Sequence, residues 1–240
     1  MGTITTAATT TIGVSHHSNF FPSKLFKTSL SYLSIPNFIT YNVRQFSPSQ
    51  TFIYHWEAAL SWNGEGSFLF TSSSAPYDCF DNGAISEDGP VVPIGRSPRT
   101  DVLLKAEKVV QDFDGCVVRL AGLYKADRGA HIYWLHKGTC EIRPDHILNL
   151  IHYEDAASLS VTILKKRLRG RIFLGCDNHP VSRQEVMDLV DKSGKFDKKF
   201  GGFTGTSDPL GKKLNNSKTR AELGWEPKYP SFAQFLGVSE

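Results

Sequence analysis

Two short, almost wholly apolar runs on either side of an amphipathic segment constrain this chain more than any other feature. The first is SFLFTS at residues 67–72, bounded by Gly66 and a run of serines, and the second is CVVRLA at residues 116–121. Each is too short for a packed helix and bounded by turn residues, so each reads as a strand buried on both faces. Between them, residues 100–112 place Val102, Leu103, Ala106, Val109 and Val110 on one helical face, with Thr100 or Asp101 as the cap. Strand, helix, strand in that order predicts a parallel α/β unit, with the crossover helix covering the sheet.

The flanking sequence extends this pattern. Residues 55–62 (HWEAALSW) read as the end of a helix and residues 63–66 as a turn. A long Gly- and Pro-bearing loop separates the first strand from the helix. Further on, residues 146–151 read as extended, and residues 154–164 as a helix packing through Ala156, Ala157, Val161 and Leu164. Residues 171–175 (RIFLG) are another short strand. Ser182 and Glu185 have the spacing of a capping box, Val181 and Val186 that of a hydrophobic staple, and Gly194 stands at the far end. Residues 201–213 form a Gly- and Lys-bearing loop whose lysines read as a solvated face, and a last helix at residues 218–223 stops at Gly224.

Composition narrows the class. The first acidic residue is Glu57, preceded by only three cations, Lys24, Lys27 and Arg44, so the net charge of +3 comes from the leader and the body is neutral. Nothing in that balance suggests a nucleic-acid surface. No apolar run approaches the roughly 20 residues a bilayer span requires. Cys79, Cys116, Cys140 and Cys176 are tens of residues apart and read as free thiols rather than a disulfide scaffold or zinc site. His131 and His136 are five apart and share no helical face for a metal. Residues 1–50, acid-free and rich in Ser and Thr, read as a disordered transit peptide; the scarcity of arginine favours the chloroplast stroma over the mitochondrion. A myristoylation pattern from Gly2 to Thr6 and a glycosylation acceptor at Asn215 have no supporting context.

Four segments then carry a resemblance. FLFTSSSAPYD (68–78), RLAGLY (119–124), NLIHYEDAA (149–157) and NNSKTRAELGWEPKYPSF (215–232) resemble, in order, motifs of the extended or atypical short-chain dehydrogenase/reductase superfamily, the NAD-dependent epimerase/dehydratase group. The resemblance implies an α/β fold: a partial Rossmann-type parallel sheet over residues 51–126, with a smaller mixed C-terminal lobe over 127–240 that contacts substrate. It implies NAD or NADP as cofactor and a nucleotide-linked small molecule as substrate. It implies Ser73, with Ser74 as alternative, for the strand-end hydroxyl, and Lys105 for the residue that holds the nicotinamide ribose and tunes a tyrosine. Ser73, Ser74, Tyr77 and Lys105 are therefore the candidate cofactor-binding residues, and Ser73 and Lys105 the candidate catalytic ones. Lys105 also reads as a surface lysine, and the serines as turn caps. Arg119 and Arg128 read either as phosphate ligands or as salt-bridge partners. His152 reads as packed or substrate-adjacent, and Asp155 as a cap of its own helix.

Two departures qualify the resemblance. The residue four before Lys105 is Asp101 where the superfamily has its proton-transferring Tyr, and no tyrosine lies between Tyr77 and Tyr124. The sequence also holds no Gly-x-x-Gly-x-x-Gly turn to cradle a pyrophosphate. Only about 20 residues separate a mature start near residue 45 from the first strand, against the 30 or more of one βαβ unit. The expectation is a shortened epimerase/dehydratase-like oxidoreductase of low activity. The alternative is a silent nucleotide-sensing or protein-binding member. A sheet missing its first half would expose an apolar face for a partner protein.

Overall fold

The computed structural model describes residues 58–239 and the backbone of a strand at Phe38–Asn42. A four-stranded parallel sheet runs β1 (Phe38–Asn42), β2 (Ser67–Ser73), β4 (Cys116–Leu120), β9 (Ile172–Gly175). Phe70 lies opposite Val117, and Val118 opposite Phe173. The helices are α1 (Pro98–Asp112), α2 (Ala130–Lys137), α3 (Tyr153–Lys165), α4 (Arg183–Ser193), α5 (Ser217–Leu223) and α6 (Phe232–Leu236). Ala106, Val109 and Val110 of α1 pack with Phe68, Phe70 and Val117 on one side of the sheet. Leu159 and Ile163 of α3 pack with Leu69, Val118 and Phe173 on the other.

The remaining strands are short pairs. β3 (Ala84–Ser86) joins β12 (Lys213–Asn215), β5 (Gly122–Tyr124) joins β8 (Leu150–His152), and β6 (Thr139–Cys140) joins β11 (Gly202–Phe203), all parallel. β7 (Ile147–Leu148) runs antiparallel to β10 (Val181–Ser182). A second core gathers Tyr124, Trp134, Leu135, Val186, Phe232 and Leu236.

Local sequence accounts for most of these elements. In α4, Ser182 accepts from the Glu185 amide while the Glu185 carboxylate accepts from the Ser182 amide, and Gly194 closes the helix at φ 63°. Val181 and Val186, the expected staple, are both buried in the second core. Gly224 closes α5 at φ 59°. The strands at 67–72, 116–121 and 171–175 are found within a residue of expectation.

Five expectations are corrected. α1 begins at Pro98 behind Ser97, not at Thr100 or Asp101, because proline at the first helical position is preset for the helix and lacks the N–H that would go unbonded. On α3, Ala157 and Val161 face solvent, and Asp155, Ala156, Leu159, Ile163 and Leu164 are buried: the helix presents the row at spacings of three and four that includes the acidic residue. The extended stretch 146–151 is split into β7 and β8 at Asn149, whose amide donates to the Lys212 carbonyl (2.8 Å) and accepts from the Leu214 amide (2.8 Å). The apolar sheet face expected to lie open is covered, with Phe68, Leu69, Phe70, Val117 and Val118 at no more than 1% exposure between α1 and α3. Lys212 is half-buried rather than solvated. Residues 58–61 are helical as expected, while 55–57 lie outside the described residues, as does the leader apart from β1.

Candidate functional site

The C-terminal end of β2 opens into a tight turn. The Ser74 amide donates to the Leu120 carbonyl (2.9 Å), extending the pairing with β4 by one step. The Ser73 hydroxyl accepts from the Ala75 amide (3.2 Å), and the Tyr77 amide donates to the Ser74 carbonyl (3.3 Å). Serines suit this role because a short hydroxyl reaches the backbone two residues on. Tyr77 ends the turn fully buried, its hydroxyl donating to the Glu87 carbonyl (3.0 Å). Burial raises its phenol above the ordinary range, against the lowering effect of the neighbouring Arg119.

Beneath the turn lies a buried ionic network. The Glu107 carboxylate of α1 accepts from the Ser72 hydroxyl (2.5 Å), from Arg119 Nε (3.2 Å to each oxygen) and from Arg119 Nη2 (2.7 Å). The Arg119 guanidinium lies 4.8 Å from the Tyr77 ring centre. Arg119 is thus a salt-bridge residue, and Arg128 stacks on the Tyr153 ring at 5.7 Å. Lys105, two residues before Glu107, is exposed. Glu107 faces Ser72, whereas Lys105 points away from the sheet, and Ser73 alternates to the sheet face opposite Ser72. No hydrogen bond or ion pair among the described residues joins Lys105 to Ser73, Ser74 or Tyr77.

Asp101, at the position four before Lys105, has both carboxylate oxygens on the Gly95 amide (3.0 and 3.1 Å). It ties the loop before α1 to the helix. Two groups near the turn escaped the sequence reading. Lys212 donates its ammonium to the Tyr77 carbonyl and sits 5.4 Å from the Phe80 ring centre; burial lowers its pKa, opposed by Cys79 and Asp78. Asn82, in the left-handed region at φ 61°, accepts from the Ile147 amide (3.1 Å) and the Gly211 amide (2.7 Å). A lysine in a polar loop and an Asn-Gly turn gave no local sign of these long-range ties.

The C-terminal segments are held by a second set of contacts. His152 is packed among Tyr124, Tyr229 and Phe235, and caps α3 by accepting from the Glu154 amide (3.2 Å). Asp155 does not cap its own helix: one oxygen accepts from the Lys228 amide (2.7 Å) and the other from the Tyr229 amide (3.0 Å). It clamps the segment that leads into α6. Among the described residues, no cluster of His, Cys, Asp and Glu is arranged to hold a metal. No helix there is long and apolar enough to cross a membrane.

No protein-family model and no curated protein sequence matches the chain. Solved structures do. The chain is similar to a dTDP-glucose 4,6-dehydratase from Bacillus anthracis in complex with NAD, with a TM-score of 0.64, 17% identity, and coverage of 77% of this chain and 63% of that one. It is similar to a UDP-glucuronic acid 4-epimerase from Bacillus cereus in complex with UDP-glucuronic acid and NAD, at TM-score 0.64 and 16% identity over 78% of this chain and 65% of that one. A UDP-glucose 4-epimerase with UDP-glucose from Thermotoga maritima gives TM-score 0.66 and 15% identity over 85% and 75%. The class these likenesses define is the Rossmann-type α/β fold of NAD-dependent epimerase and dehydratase structures, as the four sequence motifs implied. The chain spans less than two thirds of the length of the first of these structures.

Proposed function

We propose that this chain is an NAD(P)-binding protein of the epimerase/dehydratase type and a weak catalyst as it stands. The observation that supports this reading is the β2–α1–β4 unit, with half-buried Ser73 and Ser74 at the end of β2, exposed Lys105 on α1 and Asp101 held on the Gly95 amide. These residues fit the ribose side of a nicotinamide dinucleotide: Lys105 supplies a cation and donor, and the serines supply hydroxyls. The pyrophosphate side has no glycine-rich turn in the sequence to receive it. When bound, such a dinucleotide supplies hydride acceptance or donation. The chain's own part is to hold the ribose and the reacting hydroxyl, with no phenol at position 101 to move the proton. Nucleotide-linked sugars are the substrate class this reading extends from the related structures.

A second reading, a catalytically silent nucleotide sensor, is favoured by Tyr77. Its hydroxyl is buried on the Glu87 carbonyl and offers no replacement for the missing phenol. Titration of the purified chain with NADPH and NADH, read by nucleotide fluorescence and melting temperature, tests both. A Kd below about 100 μM supports the dinucleotide reading; each tenfold is about 1.4 kcal/mol. No response at millimolar nucleotide refutes it. Turnover of a UDP-sugar in the same sample separates catalyst from sensor. Residues 1–50 are proposed to direct the chain to the chloroplast stroma; a fluorescent protein fused behind them and found elsewhere in leaf cells would refute that.

A further inference from the structure

The Ser72–Glu107–Arg119 network lies under the candidate site, and of its members only Arg119 was a candidate, as a phosphate ligand or a salt-bridge partner. Glu107 and Arg119 have side chains 2% and 5% exposed. A buried ion pair is a poor way to gain stability, since desolvating both charges offsets much of their attraction and an apolar pair of similar volume does as well or better. What an ion pair provides that an apolar pair cannot is direction. The three donors on Glu107 fix the Ser72 hydroxyl and the Arg119 guanidinium, whose carbon lies over the Tyr77 ring. One carboxylate therefore joins α1, which bears Lys105, to the last residues of β2 and to β4, and through Arg119 to the far end of the Ser74–Tyr77 turn.

We propose that Glu107 is a positioning residue that sets the serine turn after β2 against α1. The consequence for nucleotide binding rests on the proposed function; the consequence for the turn does not. The test uses Glu107→Leu with Arg119→Met, an apolar replacement of the pair, in the full chain. Two quantities are read: NADPH affinity, and hydrogen exchange of the Ser74, Ala75 and Tyr77 amides without nucleotide, compared with the amides of α4. The expected result is about tenfold weaker affinity and about tenfold faster exchange in the turn, with α4 unchanged. Wild-type exchange in the turn, or equal acceleration in the turn and α4, overturns the proposal. Should the parent chain bind no NADPH, the proposed function fails while the exchange result still decides the role of Glu107. If the double variant does not fold, Glu107→Asp takes its place. It keeps both charges but shortens the reach by one methylene, and an unaltered turn in that variant overturns the proposal.

Discussion

Replacing Asp155 by asparagine separates a helix cap from a clamp on distant chain. The side chain is 1% exposed and each oxygen accepts one backbone amide, from Lys228 at 2.7 Å and Tyr229 at 3.0 Å. A hydrogen bond to a charged acceptor contributes about 1.5–3 kcal/mol. Asparagine keeps one neutral acceptor and turns an N–H donor toward the other amide, so the loss is about 3 kcal/mol, a large share of a stability of roughly 5–15. For a chain of this size that lowers the melting temperature by about 6–12 °C. Glu154→Gln is the control, because its pair with Lys228 Nζ (2.7 Å) has side chains 57% and 64% exposed and contributes little. Because α6 supplies Phe232 and Leu236 to the second core, Asp155→Asn should also open residues 225–239 to protease before the sheet is attacked. Near-ultraviolet circular dichroism during heating, with limited proteolysis, reads both effects. A melting temperature within about 2 °C of the parent, or a variant no weaker than Glu154→Gln, would refute the clamp.

Three further outcomes are expected. Ser182→Ala removes one half of the capping box and should cost about 1 kcal/mol, read as a lower urea midpoint with unchanged slope. His131 is 1% exposed, and burial lowers its pKa to about 4 against the smaller opposing bond from the Ala126 backbone. The unfolded chain then binds the extra proton between about pH 6.5 and 4, so this contribution is full above pH 6.5 and is lost as pH falls through that window. About 2 kcal/mol should disappear between pH 7.5 and 5, and the difference should be missing in His131→Phe. A Cβ at Gly211 would collide with the Ile147 carbonyl oxygen beside the Asn82 ties, so Gly211→Ala should destabilise by about 1–3 kcal/mol in a urea titration. Equal stability would show that the 211 loop is free to shift.

The sequence and structure agree where short-range pattern suffices. β2, β4 and β9 announce themselves as apolar runs, and α4 has its capping box, staple and terminal glycine between Val181 and Gly194. Errors arose where two local signals competed. Thr100 and Asp101 are good caps, yet Ser97 and Pro98 start α1 earlier. Ala157 and Val161 continue an apolar row on α3, yet the helix is turned to bring Asp155 inward to the Lys228 and Tyr229 amides. The strand β1 arises from FITYN inside a stretch whose overall composition reads as a leader. A five-residue signal is lost in a fifty-residue average.

The candidate site was less legible, for a different reason. An apolar residue is buried by its own chemistry, but a buried polar residue is chosen by a partner, and the partners here are far away in sequence. Glu107 and Ser72 are 35 residues apart, Asp155 and Lys228 are 73 apart, and Lys212 meets the Tyr77 carbonyl across 135. On a helical wheel Glu107 is one more charge on an amphipathic helix. Nothing in the wheel shows that Arg119, reading as part of a buried strand, would leave a cation inside unless that glutamate turned toward it. The strand itself implies the need: a buried guanidinium requires a carboxylate within reach, and α1 is the element that covers β4 on that side. Asp101 follows the same logic with the opposite outcome. Its partner, the Gly95 amide, is only six residues away, so the carboxylate at the expected proton-transfer position serves the loop in front of the helix.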